Sequence, residues 1–335
     1  MVNIAVLGAG VVGLSTAINI KKILPTARVT VIADRFNSET TSYGAGGLFR
    51  PTMKHTPGLP VDLLRRWVAD SWEYFSNMTL TDKAAETGCQ LVPGYFFSNE
   101  VLINELFGEF VYTYAKMTDT ELKAMRMDKK YKHGYHVTTV ITCCTRYMPW
   151  LMNKWLEHGG IVESKTIGDF NQLVGLYDVV VNCTGLRSNT LIKDDTVHPL
   201  RGHLIRVKAD WIKYWMYTED GAYIIPNGDV ISIGGTREKG NYNTDIDKTD
   251  SKDVMDRCLN LWPPLKGCKV VEEWVGLRPA RSPLRLEPEI LKTNKGPLKV
   301  VHNYGHGSNG IALSWGTAIH AAKLVKNIMD SNSRM

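Results

Sequence analysis

The sequence predicts an α/β fold in which a doubly wound domain is interleaved with a second, sheet-rich α+β domain. Four observations lead to this fold class. A strand pattern, a glycine-rich turn and a helix pattern open the chain, and a later apolar strand pattern ends in Thr184-Gly185. A β-like pattern then runs from Arg201 to Lys239, and a long helix pattern, 311–328, follows near the C-terminus. The 335 residues are enough for two hydrophobic cores.

The first element is a signature for binding a dinucleotide. Residues 2–7 indicate a buried parallel strand, Gly8-Ala-Gly10-Val-Val-Gly13 follows, and residues 14–23 have helical periodicity. Gly8 permits a tight turn, Gly10 lets a pyrophosphate approach the backbone, and Gly13 lets the helix pack on the strand. The start of the helix would supply N–H groups and the positive end of its dipole to the phosphates.

Residues 28–33 indicate a second strand, and Asp34 stands at its end, about 20 residues after Gly13, where a carboxylate can bind a ribose. The glycine motif alone does not choose between FAD and NAD. The segment 38–48 is rich in hydroxyls and glycines, and it can surround a second phosphate and the edge of a flavin. A plain surface loop has the same composition and is the alternative.

The middle of the chain carries weaker signals. Residues 54–132 mix helical patterns with polar connections, and the clearest helix there is predicted for 61–78. A helix at 145–158 and a strand at 177–183 come next. Because strand ends face the ligand crevice in a doubly wound fold, we expect Thr184-Gly185 to contact the cofactor. In the sheet-rich part, strands are predicted for residues 203–208, 222–226 and 230–236.

The most informative stretch lies nearer the C-terminus. Arg278 stands just before a proline, and residues 301–310 predict a strand that runs into a glycine-rich loop. The helix pattern 311–328 begins directly after that loop, and Gly316 within it would allow close packing. This arrangement can fix a carboxylate with the Arg278 guanidinium and bring N–H groups beside a flat cofactor.

Composition and charge indicate an ordinary globular protein, with 44% hydrophobic and 22% charged residues and a formal net charge of +6. The chain has no concentrated Lys/Arg run, which argues against nucleic-acid binding. It has no apolar run of the ~18–20 residues that a membrane helix needs, and no secretory signal. The six cysteines lack C-x-x-C spacing and nearby histidine clusters, so we expect reduced thiols and no metal site.

Taken together and in this order, the motifs resemble the D-amino-acid oxidase family of FAD oxidases, from residue 2 to the C-terminus. They are Gly8-x-Gly10-x-x-Gly13, Asp34-Arg35-Phe36, Thr40-Thr41-Ser42, Val181-Asn-Cys-Thr-Gly185, Gly234-Gly-Thr-Arg237-x-Lys-Gly240, Gly276-Leu-Arg278-Pro and His302-Asn-Tyr-Gly-His-Gly-Ser-Asn-Gly310. The resemblance implies a Rossmann-like FAD-binding domain made of residues 1–53, 140–200 and 285–335. It also implies a substrate-binding domain made of residues 54–139 and 201–284. The residues that it assigns to FAD are Gly8, Gly10, Val11, Val12, Gly13, Asp34, Arg35, Thr40, Thr41, Ser42, Gly46, Gly47, Leu48, Thr166, Thr184, Gly185, Arg278, Gly307, Ser308, Asn309, Gly310 and Ile311.

The resemblance also implies the reaction. The family moves the α-hydrogen of a D-amino acid to flavin N5 as a hydride, O2 is reduced to H2O2, and the imino acid hydrolyses to a 2-oxo acid and ammonia. Arg278 and Tyr223 match the residues that hold the substrate α-carboxylate. Arg237 and Ser308 are similar to the branch that acts on dicarboxylic D-amino acids, namely D-aspartate and possibly D-glutamate and N-methyl-D-aspartate. We expect Arg237 to be a buried cation facing the second carboxylate, and an ion pair with Glu238 is the structural alternative.

One feature departs from the family's pattern. The acidic branch carries another arginine in a mobile loop before Tyr223, whereas this chain has Trp215-Met-Tyr-Thr-Glu-Asp220. His55 is a looser match that can assist with the side-chain carboxylate, and an exposed histidine is its alternative reading. A neutral D-amino-acid oxidase, an NAD-dependent dehydrogenase and a non-catalytic dinucleotide sensor stay open as other functions.

The last tripeptide, Ser333-Arg334-Met335, is similar to the Ser-Lys-Leu peroxisomal address. An oxidase that makes H2O2 is best placed beside catalase. We therefore expect the peroxisomal import receptor as a partner and the peroxisomal matrix as the location, or the cytoplasm if the tripeptide is inactive.

Overall fold

A computed structural model describes residues 1–101 and 106–330, and a sheet of 14 strands runs through this part of the chain. The strands are β1 (Asn3–Leu7), β2 (Arg28–Ala33), β3 (Cys89–Ser98), β4 (Thr113–Lys116), β5 (His133–Thr142), β6 (Ile161–Ser164), β7 (Val179–Asn182), β8 (His198–Lys208), β9 (Trp215–Thr218), β10 (Tyr223–Asn227), β11 (Val230–Gly234), β12 (Glu238–Lys239), β13 (Lys269–Thr293) and β14 (Gly296–His306). The helices are α1 (Val11–Ile23), α2 (Val61–Thr79), α3 (Lys83–Thr87), α4 (Asp119–Ala124), α5 (Cys144–Glu157), α6 (Ser188–Leu191), α7 (Lys248–Leu261) and α8 (Gly310–Asp330).

One half of the sheet is parallel, in the order β14-β7-β1-β2-β6. Its central strands β1 and β7 are mostly apolar on both faces because both faces are covered. In β1, Ile4 and Val6 belong to the core that also contains α1, α5 and α8. Ala5 and Leu7 face a separate core on the other side of the sheet, around Phe170. This half confirms the predicted doubly wound class.

The other half is mainly antiparallel, in the order β4-β5-β3-β9-β10-β11-β8-β13, with β3 and β9 parallel to each other. The 25-residue strand β13 pairs with β8 on one side and β14 on the other, so it belongs to both halves. The α/β fold is therefore confirmed. The proposed domain limits stay a prediction, and the limit at 284/285 lies inside β13.

Most predicted elements are present, but several others were not predicted. The second strand matches β2, and the predicted helices at 61–78, 145–158 and 311–328 correspond to α2, α5 and α8. α1 begins at Val11, three residues earlier than predicted, directly after Gly10. The sequence interpretation missed strands β3, β4, β5, β6 and β13 and helix α7. β3 contains Pro93-Gly94 in its centre, and these two residue types are unfavourable inside a strand, so its sequence does not predict one.

The described helices include none that is long and apolar enough to cross a bilayer. The six cysteines are all free thiols, and five of them are buried.

Helices α2 and α8 touch at a glycine. The N–H of Gly316 donates to Ser71 Oγ at 2.9 Å, and a Cβ on Gly316 would lie 2.2 Å from the carbonyl oxygen of Trp67. The expected role of Gly316 in close packing is confirmed.

Gly316→Ala should lower the free energy of unfolding by at least about 1 kcal/mol, because an overpacked contact outweighs the ~1 kcal/mol that alanine gains inside a helix. Urea denaturation at a fixed, saturating FAD concentration measures this. Lys323→Ala, at an exposed position about two turns further along α8, is the control and should change little. Stabilisation by Gly316→Ala would contradict the packing argument.

Candidate active site

A cavity of about 720 Å³ lies between the two halves of the sheet. It is bordered by the carboxyl ends of β1, β2 and β7, where doubly wound folds bind their ligands. Its size is within the range of small-molecule and cofactor sites. All predicted site residues line it except Gly13 and Thr166.

The glycine turn has the geometry that its sequence predicts. Gly8 has a φ of +103°, and a Cβ there would lie 2.6 Å from the carbonyl oxygen of Cys183 on the neighbouring chain segment. A Cβ on Gly13 would lie 1.9 Å from the carbonyl oxygen of Gly8, so Gly13 serves packing and does not reach the cavity. Gly10 faces the cavity just before the first turn of α1.

The hydroxyl- and glycine-rich segment 38–48 is folded onto the cavity and is not a free surface loop. The Ser42 hydroxyl accepts a hydrogen bond from the N–H of Val11 at 3.1 Å, at the start of α1. The Thr41 hydroxyl donates to the carbonyl oxygen of Leu277 on β13 at 3.2 Å. Gly47 has a φ of +68°, and its Cα lies so close to Thr142 that a Cβ would meet the carbonyl oxygen of Thr142 at 1.9 Å.

Asp34 stands at the cavity edge just beyond β2, as predicted. Thr166 donates to its carboxylate at 3.0 Å, so Thr166 supports Asp34 from outside the cavity. Arg187 also contacts that carboxylate, and the sequence interpretation missed this residue. Asp34 and Arg187 are far apart in sequence, so no local motif reveals their pairing.

The strand end at Thr184 and the loop before α8 complete the nucleotide side. The Thr184 hydroxyl donates to Oδ1 of buried Asn182 at 2.7 Å. Gly307 has a φ of +55° and opens the short 3-10 helix Gly307–Asn309, which leads into α8. Nδ2 of buried Asn309 has no hydrogen-bond acceptor among the described residues, so it is available to a ligand in the cavity.

These features fit FAD. A helix start beside glycines and the Ser42 hydroxyl suits a pyrophosphate. A carboxylate at the strand end suits a ribose, and the Asn309 amide without an acceptor suits a polar ring edge. The residues that would hold the cofactor are the predicted ones that line the cavity.

Arg278 lies deep in the opposite end of the cavity. Its Nη1 donates to the carbonyl oxygens of Leu200, Arg201 and Thr236 at 3.2–3.4 Å. A Cβ on Gly202 would lie 2.1 Å from Arg278 Nη2, so only glycine at that position leaves room for the guanidinium. Burial lowers the pKa of Arg278, and the nearby positive charge of Arg237 acts in the same direction. No carboxylate of the described residues pairs with it.

Tyr223 is buried beside Arg278. Burial raises the pKa of its phenol to about 12, against the opposing effect of Arg278, so the hydroxyl is protonated at neutral pH and can donate. Its ring stacks on Tyr217 with 5.7 Å between centroids, and Tyr217 also lines the cavity. Tyr217 lies in β9, so the segment that corresponds to the family's mobile loop begins here as a buried strand.

Arg237, His55 and Ser308 form one cluster on the cavity wall. Arg237 donates through Nη1 to His55 Nε2 at 2.5 Å and through Nη2 to Ser308 Oγ at 2.8 Å. The expectation that Arg237 is buried is wrong, because its side chain is exposed on the cavity wall. The alternative ion pair with Glu238 is absent, since Glu238 pairs with Arg201 at 2.6 Å.

His55 is a neutral partner in this cluster. Burial and the charge of Arg237 lower the pKa of its imidazole to about 3, with Arg50, Lys54 and Arg278 contributing less. Because a guanidinium only donates, His55 Nε2 must accept, and Nδ1 then carries the proton and donates to Thr52 Oγ1 at 3.0 Å. His55 therefore orients Arg237 without adding charge.

The substrate side of the cavity is cationic. Arg50, Arg237 and Arg278 all line it, and the described lining residues that carry a carboxylate are Asp34 and Glu39 at the nucleotide side. Sequence reasoning missed Arg50, whose guanidinium lies 4.2 Å from the Phe96 ring centroid and 4.9 Å from that of Tyr217. No spacing in the chain marks it, because its neighbours come from β3 and β9.

Comparison with known proteins agrees with this geometry. A family model described as FAD dependent oxidoreductase matches residues 3–324. The D-aspartate oxidase of Homo sapiens is 38% identical over 326 residues, covering 96% of this chain and 94% of that protein. D-aspartate oxidase 1 of Caenorhabditis elegans is 34% identical over 98% of each chain. The crystal structure of glycine oxidase from Bacillus cereus has a TM-score of 0.77 at 17% identity and covers 98% of this chain and 96% of its own, which supports the fold alone.

Two glycine variants separate ligand contact from packing. Gly10→Ala should weaken FAD binding about ten-fold or more, because the methyl group occupies space left for the pyrophosphate, while the FAD-free protein keeps its stability. Gly13→Ala should instead lower the stability of the FAD-free protein by about 1–3 kcal/mol, because its Cβ collides with Gly8. Titration with FAD, followed by flavin fluorescence, and thermal unfolding without FAD measure the two effects. Unchanged FAD affinity in Gly10→Ala would refute the assigned role.

Proposed function

The chain belongs to the family of FAD-dependent oxidoreductases, and we propose on this basis that it is an oxidase of acidic D-amino acids. D-aspartate is the proposed main substrate, as in the name of its human and nematode relatives. D-glutamate and N-methyl-D-aspartate are proposed as further substrates. FAD, when bound, accepts the substrate α-hydrogen as a hydride and passes the electrons to O2, which yields H2O2. The imino acid product hydrolyses to a 2-oxo acid and ammonia.

The observation that carries this proposal is the charge at the substrate side. Arg278 and Arg237 line the same end of one cavity, and there the described lining residues include no carboxylate. A guanidinium that has no carboxylate partner within the protein can be paired by an anionic ligand. Two such cations suit a ligand with two carboxylates, whereas a neutral amino acid would leave Arg237 without one.

Each residue has a distinct task in holding this substrate. The Arg278 fork is suited to a two-point contact with the α-carboxylate, and the protonated Tyr223 hydroxyl donates to the same group. Arg237 binds the distal carboxylate, and its contacts to His55 and Ser308 fix its direction. Two fixed ends orient the Cα–H bond between them, which is the protein's main contribution to a hydride transfer.

A substrate panel tests the proposal. The kcat/KM for D-aspartate should exceed that for D-alanine by about 100-fold or more, since the second carboxylate completes a charged site. Comparable kcat/KM values for the two substrates would contradict the proposed preference for acidic substrates. The function would then be that of a neutral D-amino-acid oxidase.

Arg237→Leu should abolish the preference for D-aspartate by raising its KM about 100-fold, with FAD still bound and D-alanine turnover retained. Lys239→Leu, which removes an exposed cation two residues further on that does not line the cavity, is the matched control. A KM for D-aspartate that stays within about three-fold of wild type in Arg237→Leu would show that the role given to Arg237 is wrong.

We also propose that the protein works in the peroxisomal matrix, delivered by the peroxisomal import receptor. The support is the tripeptide Ser333-Arg334-Met335, which lies outside the described residues, together with an H2O2-producing reaction.

A fluorescent protein that carries the last ten or so residues of the chain should co-localise with catalase in cells. Replacing Arg334 with Glu in the fusion should make it diffuse. A diffuse signal from the unmodified fusion would count against the proposed location.

A further inference from the structure

Arg201 is the buried centre of a partly exposed polar cluster behind the substrate side. Its side chain is 2% exposed and pairs with Glu238 at 2.6 Å and Asp250 at 2.5 Å. Its remaining donors reach the carbonyl oxygens of Asn243 at 2.8 Å and Asp245 at 3.0 Å. One guanidinium thus joins β8, β12, the segment 240–247 and the start of α7.

The elements that Arg201 holds are those that present the substrate-binding residues. Glu238 is the cross-strand partner of Arg201 and directly follows Arg237 in the chain. The segment 240–247 contributes Tyr242 and Thr244 to the cavity lining. The carbonyl oxygen of Arg201 also accepts a hydrogen bond from Arg278.

Glu238 is a potential competitor of the substrate. It is the carboxylate adjacent to Arg237 in sequence, and a guanidinium can pair with any carboxylate it can reach. Burial opposes its ionisation, but hydrogen bonds from Asn241 and Arg201 outweigh this and lower the pKa of Glu238. Both oxygens are occupied, since Oε1 contacts Arg201 and Oε2 accepts from Asn241 Nδ2 at 2.6 Å.

We propose that Arg201 is a positioning residue for substrate selectivity: it holds the Glu238 carboxylate away from Arg237 and so keeps Arg237 available to the distal carboxylate of the substrate. The inference rests on the proposed function, because a neutral substrate makes no use of Arg237. Arg201 acts through Glu238 and the backbone, and it does not itself touch the substrate.

The test is a double-mutant cycle on the FAD-loaded protein with Arg201→Met, Glu238→Gln and the double variant. Arg201→Met should raise the KM for D-aspartate about ten-fold and leave the KM for D-alanine within about two-fold of wild type. Glu238→Gln alone should change neither value by more than about two-fold. The double variant should recover the wild-type KM for D-aspartate to within about three-fold, because it has no Glu238 carboxylate that could pair with Arg237.

The design separates this role from a structural one. Loss of the partner of Asp250 and of the backbone contacts is common to Arg201→Met and the double variant, so their difference reports Glu238 alone. If Arg201→Met does not fold, Arg201→Gln, which removes the charge that pairs with Glu238 but keeps an amide donor for the backbone carbonyl oxygens, replaces it in the same cycle. A KM for D-alanine that rises in parallel, or a double variant no better than the single one, overturns the inference. Failure of the wild-type protein to prefer D-aspartate instead overturns the proposed function.

Discussion

The site depends on a guanidinium placed deep in the protein with no carboxylate of the described residues beside it. Arg278 is held by hydrogen bonds to three backbone carbonyl oxygens. Gly202 has no side chain, and this leaves space for the guanidinium. Burying a cation raises its free energy unless an anion pairs with it. Arg237 is exposed on the cavity wall and likewise has no carboxylate partner among the described residues, since it contacts a neutral imidazole and a hydroxyl. The cavity is therefore suited to a ligand with two negatively charged groups, one for Arg278 and one for Arg237.

Strand β13 connects this charge to the cofactor side. It carries Arg278 and, one residue earlier, Leu277, whose carbonyl oxygen accepts from Thr41 of the segment 38–48. β13 is held in the sheet by its pairing with both β8 and β14. Arg278 and the contact to the segment 38–48 therefore share one rigid strand. β13 would therefore help to position both the substrate and FAD, which favours precise orientation.

Features that are defined by neighbouring residues in the chain could be predicted from the sequence, whereas contacts between distant segments could not. The strand, turn and helix around Gly8–Gly13 are defined by contiguous residues, and the structure agrees with them closely. Arg50 and Arg187 were missed because their partners come from distant segments. β3 was missed because Pro93-Gly94 breaks its pattern, and only pairing along its whole length with β5 reveals it. Arg237 was placed in the right site but expected to be buried, since residue type alone does not say that a side chain faces an open cavity.

A direct test asks whether Arg237 and Arg278 together orient a dicarboxylic D-amino acid for oxidation by bound FAD. The FAD-loaded protein is mixed with substrate without oxygen, and the flavin absorbance is followed with time. D-aspartate should bleach the flavin about 100-fold faster than D-alanine at equal low concentration, and L-aspartate should leave it oxidised. Flavin that stays oxidised with D-aspartate, or that is reduced equally fast by D-alanine, would contradict the account.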